Sequence, residues 1–109
     1  MNPVVVDAMI HRFGQMVTLR RMTGSIPFDV DCKAVVNEYL PNELVGGIQQ
    51  GDRRVVISNR EIEERQWPGP PVQGDKVIIN GKTTTLQANP DTKRIGDVIV
   101  KHDLRVRGA

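Results

Sequence analysis

The sequence predicts a mainly β protein with a minor α component. It reads as a small bent sheet or partly closed β-barrel of about six strands, with an N-terminal helix and one flexible loop. Three observations point there. The apolar residues favour branching at Cβ, with 15 Val and 9 Ile against 5 Leu; such side chains lose rotamer freedom in a helix and pack well on a pleated surface. Several segments alternate apolar and polar residues with a period of two, which turns one face of a strand inward. Ten Gly and seven Pro punctuate those segments, enough for short connections and many turns. Closure is the economical way for so short a chain to hide its strand edges. A length of 109 residues suits a single domain, with the helix at 3–13 and the β portion at 15–107.

The helix comes first. Asn2 suits an N-cap, and Pro3 suits a first turn, where its missing N–H has no partner to lose. Asp7 lies early and His11 and Arg12 late, the order that the helix dipole favours. Val6, Met9, Ile10 and Phe13 follow i, i+3, i+4, i+7 spacing, and Gly14 is a natural stop. Such a helix serves either as a lid on the sheet or as a docking element for another subunit. Four apolar side chains match one packed face, which favours the lid.

Beyond Gly14 the period changes. Val17 and Leu19 alternate with Met16, Thr18 and Arg20 in a first strand that ends near Gly24, and Ser25-Ile26-Pro27 reads as a loop. Val30, Cys32, Ala34, Val36 and Leu40 then share one strand face, with Asp31, Lys33, Asn37 and Tyr39 on the other. Residues 41–51, with Gly46-Gly47 and Gln49-Gln50, read as a mobile loop. A strand centred on Val55-Val56-Ile57 follows, and Ser58 with Glu61 fits a capping box for a short helical turn over 59–66. The Pro-rich stretch after Trp67 stops it. Gly74-Asp75 introduces a strand over 76–79, Asn80-Gly81 is a strong hairpin signal, and residues 83–88 form the partner strand. Asn89-Pro90-Asp91 reads as a turn. In the last strand Val98, Val100, Leu104 and Val106 face one way with His102, while Lys101, Asp103, Arg105 and Arg107 face the other.

The residues supply little for catalysis. No apolar run reaches the roughly 18 residues of a membrane span, and the N-terminus has no cationic, signal-length apolar start. The single cysteine, Cys32, sits on an inward face with nothing basic adjoining it, as a buried apolar residue does. His102 is expected to be a hydrogen-bonded histidine at the rim of the core. Glu61, Glu63 and Glu64 are flanked by Arg60 and Arg65 and read as a solvated mixed-charge turn. Neither a zinc framework nor a phosphate-binding glycine loop is present in the sequence, so neither metal nor cofactor is expected, and no catalytic residue is assigned. A small barrel with a pI near 9.0 invites an alternative reading as a nucleic-acid-binding protein. Arg20-Arg21, Arg53-Arg54, Lys93-Arg94, Arg105 and Arg107 would form its basic surface. Against it stand a net charge of only +2, acidic residues interspersed among the basic ones, and an aromatic fraction of 4%, thin for base stacking.

The order of segments in the later part of the chain carries a resemblance. Gly51-Asp52-Arg53-Arg54-Val55-Val56-Ile57-Ser58 precedes a short turn and a Pro-rich stretch. Gly74-Asp75-Lys76-Val77-Ile78-Ile79-Asn80-Gly81-Lys82 follows, and the chain closes on Leu104-Arg105-Val106-Arg107-Gly108. Upstream lie a leading helix, Val17-Thr18-Leu19-Arg20-Arg21 and Ala34-Val35-Val36. This order resembles the head–tail joining proteins (head-closure or stopper proteins) of long-tailed phages and their prophage remnants. The resemblance implies a structural part of the virion neck, assembled in the host bacterial cytoplasm and without catalysis. Its partners would be the portal or adaptor ring and tail components. It implies a monomer in isolation that joins a ring on assembly, while the apolar runs, charge balance and few aromatics speak against a membrane partner and direct nucleic-acid binding. Leu44, Val45, Gly46, Gly47 and Ile48 are the candidate contacts of a loop that orders on docking, or else belong to an ordinary surface loop. Arg20, Arg21, Arg105 and Arg107 are candidates for pairing with acidic residues of a ring neighbour; the commoner role of Arg105 and Arg107 would be to solubilise an edge strand.

Overall fold

A computed structural model describes residues 8–10, 12–38, 51–67 and 70–108. Seven strands and one short helix follow one another as β1 (Gln15–Thr23), β2 (Ile26–Glu38), β3 (Arg53–Ser58), α1 (Asn59–Glu64), β4 (Lys76–Ile79), β5 (Lys82–Leu86), β6 (Asp91–Ile95) and β7 (Val98–Gly108). All pairings are antiparallel, in the order β3-β2-β1-β4-β5-β7-β6, and a further β3–β7 pairing closes the sheet on itself. The fold is therefore a closed six-stranded β-barrel with β6 added outside the ring. Inward positions alternate as the pleat requires. Val17 and Leu19 of β1, Cys32 and Ala34 of β2, Val55 and Ile57 of β3, Val77 and Ile79 of β4, Leu86 of β5, and Leu104 and Val106 of β7 form one continuous core. Ile62 of α1 and Trp67 plug one side of it. Among the described residues no helix is long and apolar enough to cross a membrane.

The extra strand has a simple origin. β5 pairs with Val106–Gly108 and β6 with residues 98–103 of β7, while β3 holds the overlapping stretch 101–106. β5 and β6 must therefore lie in succession along the same edge of β7. They amount to one strand interrupted at residues 87–90, and the Gln87 N–H still donates to the Arg105 carbonyl at 2.9 Å. Of the expected turn Asn89-Pro90-Asp91, the first two residues belong to this interruption, which lets the strand pass from barrel wall to outer edge, and Asp91 already opens β6.

Other elements differ in extent from the sequence reading. Ile26 and Pro27 belong to β2, not to a loop, because β1 and β2 form a hairpin with Gly24-Ser25 as its turn and with Thr23 opposite Ile26. Pro27 is tolerated because the outer side of β2 is unpaired at that point. This hairpin projects from the barrel: β4 covers only Thr18–Arg20 of β1, and β3 covers only Ala34–Glu38 of β2. The expected strands over 76–79 and 83–88 are found as β4 and β5, and Asn80 and Gly81 both have positive φ (51° and 79°), as their type I′ turn demands.

Of the leading helix, residues 8–10 and 12–13 are described and helical. Ile10 is buried, whereas Met9 and Phe13 remain exposed, so only part of the expected apolar stripe packs as a lid. Gly14 closes the segment by its size. Its N–H donates to the Ile10 carbonyl at 2.7 Å, and a Cβ there would run into the carbonyls of Ile10 and Ala34.

Candidate functional site

Both Gly-Asp segments do the same structural work at the start of a barrel strand. Gly51 and Gly74 adopt left-handed φ values of 96° and 95°, which glycine supplies without steric cost. The aspartate after each is buried and holds an arginine from a strand distant in sequence. Asp52 accepts from Nε and Nη2 of Arg107 at 2.7 and 3.0 Å. Asp75 accepts from Nε and Nη2 of Arg21 at 3.0 and 2.7 Å, and also from the Val72 N–H at 2.9 Å. Arg21 in turn donates to the Pro70 carbonyl at 3.2 Å and lies over the Trp67 ring, 5.0 Å from its centroid. Bidentate, partly buried pairs of this kind are geometrically specific. They raise the pKa of both guanidinium groups, chiefly through the aspartate hydrogen bonds.

Two of the four candidate arginines, Arg21 and Arg107, are thus held as clasps within the chain. Arg20 pairs across the hairpin with Asp29 at 2.8 and 2.9 Å and holds that carboxyl below its ordinary pKa by hydrogen bonding. This pair is solvent-exposed. The structure brings Arg20 and Arg107 onto one transverse row of the outer wall: Arg20 faces Lys76, Lys76 faces Thr85, and Thr85 faces Arg107. Lys76 was not singled out in the sequence, because only the register places it between two arginines. Arg105 stands in the next row opposite Arg54, and its buried Nε has no partner among the described residues. Arg54 itself donates to Asp103. Leu44, Val45, Gly46, Gly47 and Ile48 lie outside the described residues.

Among the described residues, His102, Cys32 and Glu61 are all buried. His102 is buried, and burial lowers its pKa. Its Nε2–H donates to Asn59 Oδ1 at 2.9 Å, and its Nδ1 accepts from the Thr92 hydroxyl at 3.1 Å. This is the rim histidine expected from the sequence, neutral and fixed in one tautomer by its two neighbours. The Cys32 thiol is fully buried and its pKa is pushed up to about 12, first by burial and then by the Glu61 charge. Glu61 corrects the sequence reading: it is 2% exposed, because the third position of α1 faces the barrel, while Glu63 and Glu64 remain in solvent. The Glu61 N–H donates to the Ser58 hydroxyl as the capping box predicts, at 3.2 Å. Among the described residues, no three His, Cys, Asp or Glu side chains are grouped so as to hold a metal ion.

Two apolar surface features remain. The hairpin tip exposes Met22, Ile26 and Phe28, with Ile26 at 71%; Phe28 also meets the Trp67 ring at 5.7 Å. On the outer wall, Met9, Ile10 and Phe13 face Val35 and Val56 across a cleft of about 330 Å³, with Arg54 and Lys101 at its rim. Arg12 stacks on Phe13, 5.4 Å from the ring centroid. Neither feature was legible in the sequence as a site. Ile26 looked like a loop residue, and Val35 and Val56 interrupt a pattern of alternation that otherwise marks the core.

No protein-family model matches the chain, and no curated protein sequence matches it.

Proposed function

We propose that this protein is a structural assembly component of a phage virion neck, joining the filled capsid at its portal or adaptor ring to the tail, without catalysis. The observation that carries the reading is the role of the two Gly-Asp segments. The motifs on which the resemblance rests begin strands β3 and β4, and each locks a distant strand through a buried aspartate. Their order along the chain is therefore tied to how the barrel closes, which is the feature a shared architecture would retain. The exposed apolar hairpin tip and the apolar cleft suit a small part whose surface is completed by neighbours. On this reading the isolated chain is a monomer that self-associates into a ring on assembly. It works in the host bacterial cytoplasm and ends in the virion neck.

The rival reading, a nucleic-acid-binding barrel, would use the outer cationic rows. Arg20, Arg21, Arg54 and Arg107 each sit on an aspartate of the same chain, which leaves little net positive field for phosphates. The deciding experiment is deletion of the gene from the phage or prophage that carries it. DNA-filled heads and separate, unattached tails are expected. Infectious tailed particles from the deletion would overturn the proposal.

A further inference from the structure

We infer that copies of this chain associate head to tail, the β1–β2 hairpin tip of one copy seating in the cleft between the N-terminal helical residues and the outer barrel wall of the next. The inference rests on the self-association part of the proposed function and needs no portal or tail component.

One surface is convex and the other concave, and both are apolar. The tip presents Ile26 and Phe28 on one face of the hairpin, exposed by 71% and 44%, and Met22 on the other, exposed by 48%. The cleft of about 330 Å³ is walled by Met9, Phe13, Val35 and Val56, of which Phe13 is 65% exposed. A single copy cannot bring them together. Ile26 and Val35 lie on the same strand, β2, and at the usual strand rise they stand about 30 Å apart. The barrel wall that holds the cleft is fixed by the β2–β3 and β3–β7 ladders, and β2 cannot fold back on itself. Only a second copy can supply the tip.

The charges agree with this occupant. Behind the tip, the outer face of β2 carries Asp29, held by Arg20 of the same hairpin, and Asp31. Asp31 is exposed and accepts a hydrogen bond from the Thr18 hydroxyl at 2.7 Å. At the cleft rim Arg54 already donates to Asp103, whereas no ion pair involves Lys101 among the described residues. An exposed Asp31 approaching the Lys101 ammonium orients the contact more than it strengthens it.

The size of the contact also decides something. The tip supplies roughly a few hundred Å² of apolar surface, well below the 1,200 Å² or so that a stable pair buries. A single tip-in-cleft contact is therefore weak, consistent with a monomer in dilute solution. Because the two surfaces differ, each copy makes two contacts, and a closed ring or a helical array results. Holding copies side by side on a ring would raise their effective concentration and secure contacts that are weak singly.

Cross-linking tests this in purified protein. Ile26→Cys and Phe13→Cys change exposed side chains, and the native Cys32 is buried with a thiol pKa of about 12, so it stays unreactive. The two variants, separately and mixed, are treated with a short bismaleimide at increasing protein concentration. A cross-linked pair in the mixture that neither variant forms alone is the expected result, and the double variant should give a ladder of higher species. A mixture no different from wild type overturns the inference. So does efficient dimerisation of Ile26→Cys alone, which would mean that the tips pair with each other. Failure here leaves intact a neck protein whose copies touch only the portal ring, a role read separately by the deletion phenotype.

Discussion

Asp75 and Asp29 each accept two hydrogen bonds from an arginine, yet they differ in what surrounds the pair. Asp75 is 8% exposed and its partner Arg21 22%, and removal of the carboxylate charge would take the bidentate anionic partner from a partly buried guanidinium beside Trp67. Asp75→Asn should lower the unfolding free energy by about 2 kcal/mol, measured as a shift of the urea midpoint at constant slope. Asp29→Asn alters an exposed cross-strand pair and should leave the midpoint nearly unchanged. His102 gives a pH signature. Burial lowers its folded pKa below the ordinary 6.5, so the unfolded chain binds the proton more readily. Stability from the neutral ring is fully present above pH 6.5 and is lost as pH falls through the folded value. Urea midpoints measured down from pH 7.5 should fall in that window, and His102→Gln should remove that component. The inward placement of His102 and Cys32 was legible from strand alternation alone. The burial of Glu61 was not, since a helix of one or two turns gives too short a pattern to tell its inner face.

Elements were legible where pattern and turn chemistry agree. β7 shows alternation over its length, the β4–β5 hairpin has Asn80-Gly81 at its turn, and Ser58 caps α1. Ser58→Ala should cost about 1 kcal/mol in thermal or urea unfolding, with the fold retained. β6 was missed because Asp91-Thr92-Lys93-Arg94-Ile95 has no apolar–polar alternation and a single apolar residue, Ile95, to mark it. Its pairing with β7 is set by what precedes it, the continuation of β5 past a break. The extent of the β1–β2 hairpin was misjudged for a related reason. Ser25-Ile26-Pro27 has the composition of a loop, and only the register with β1 shows that the strand runs through it. Tertiary pairing overrides local preference in both places.

At the scale of the whole molecule, four arginines drawn from β1, β3 and β7 (Arg20, Arg21, Arg54 and Arg107) are each met by an aspartate from another segment. Titration of labelled single-stranded DNA and RNA against salt should therefore show weak association without the steep slope that several phosphate contacts produce. A slope equivalent to many released counterions would revive the nucleic-acid reading. The closed barrel was legible as a class, from branched apolar residues and a need to hide edges; the partner that closes it was not, because β3 and β7 lie far apart in sequence and nothing local joins them. Their pairing has a consequence for the order of events in synthesis. β7 leaves the ribosome after the other six described strands, and until it emerges β3 and β5 both lack a neighbour and Asp52 lacks Arg107. Up to that moment the nascent chain carries a Val/Ile-rich sheet with open edges, the state most exposed to mispairing with other chains.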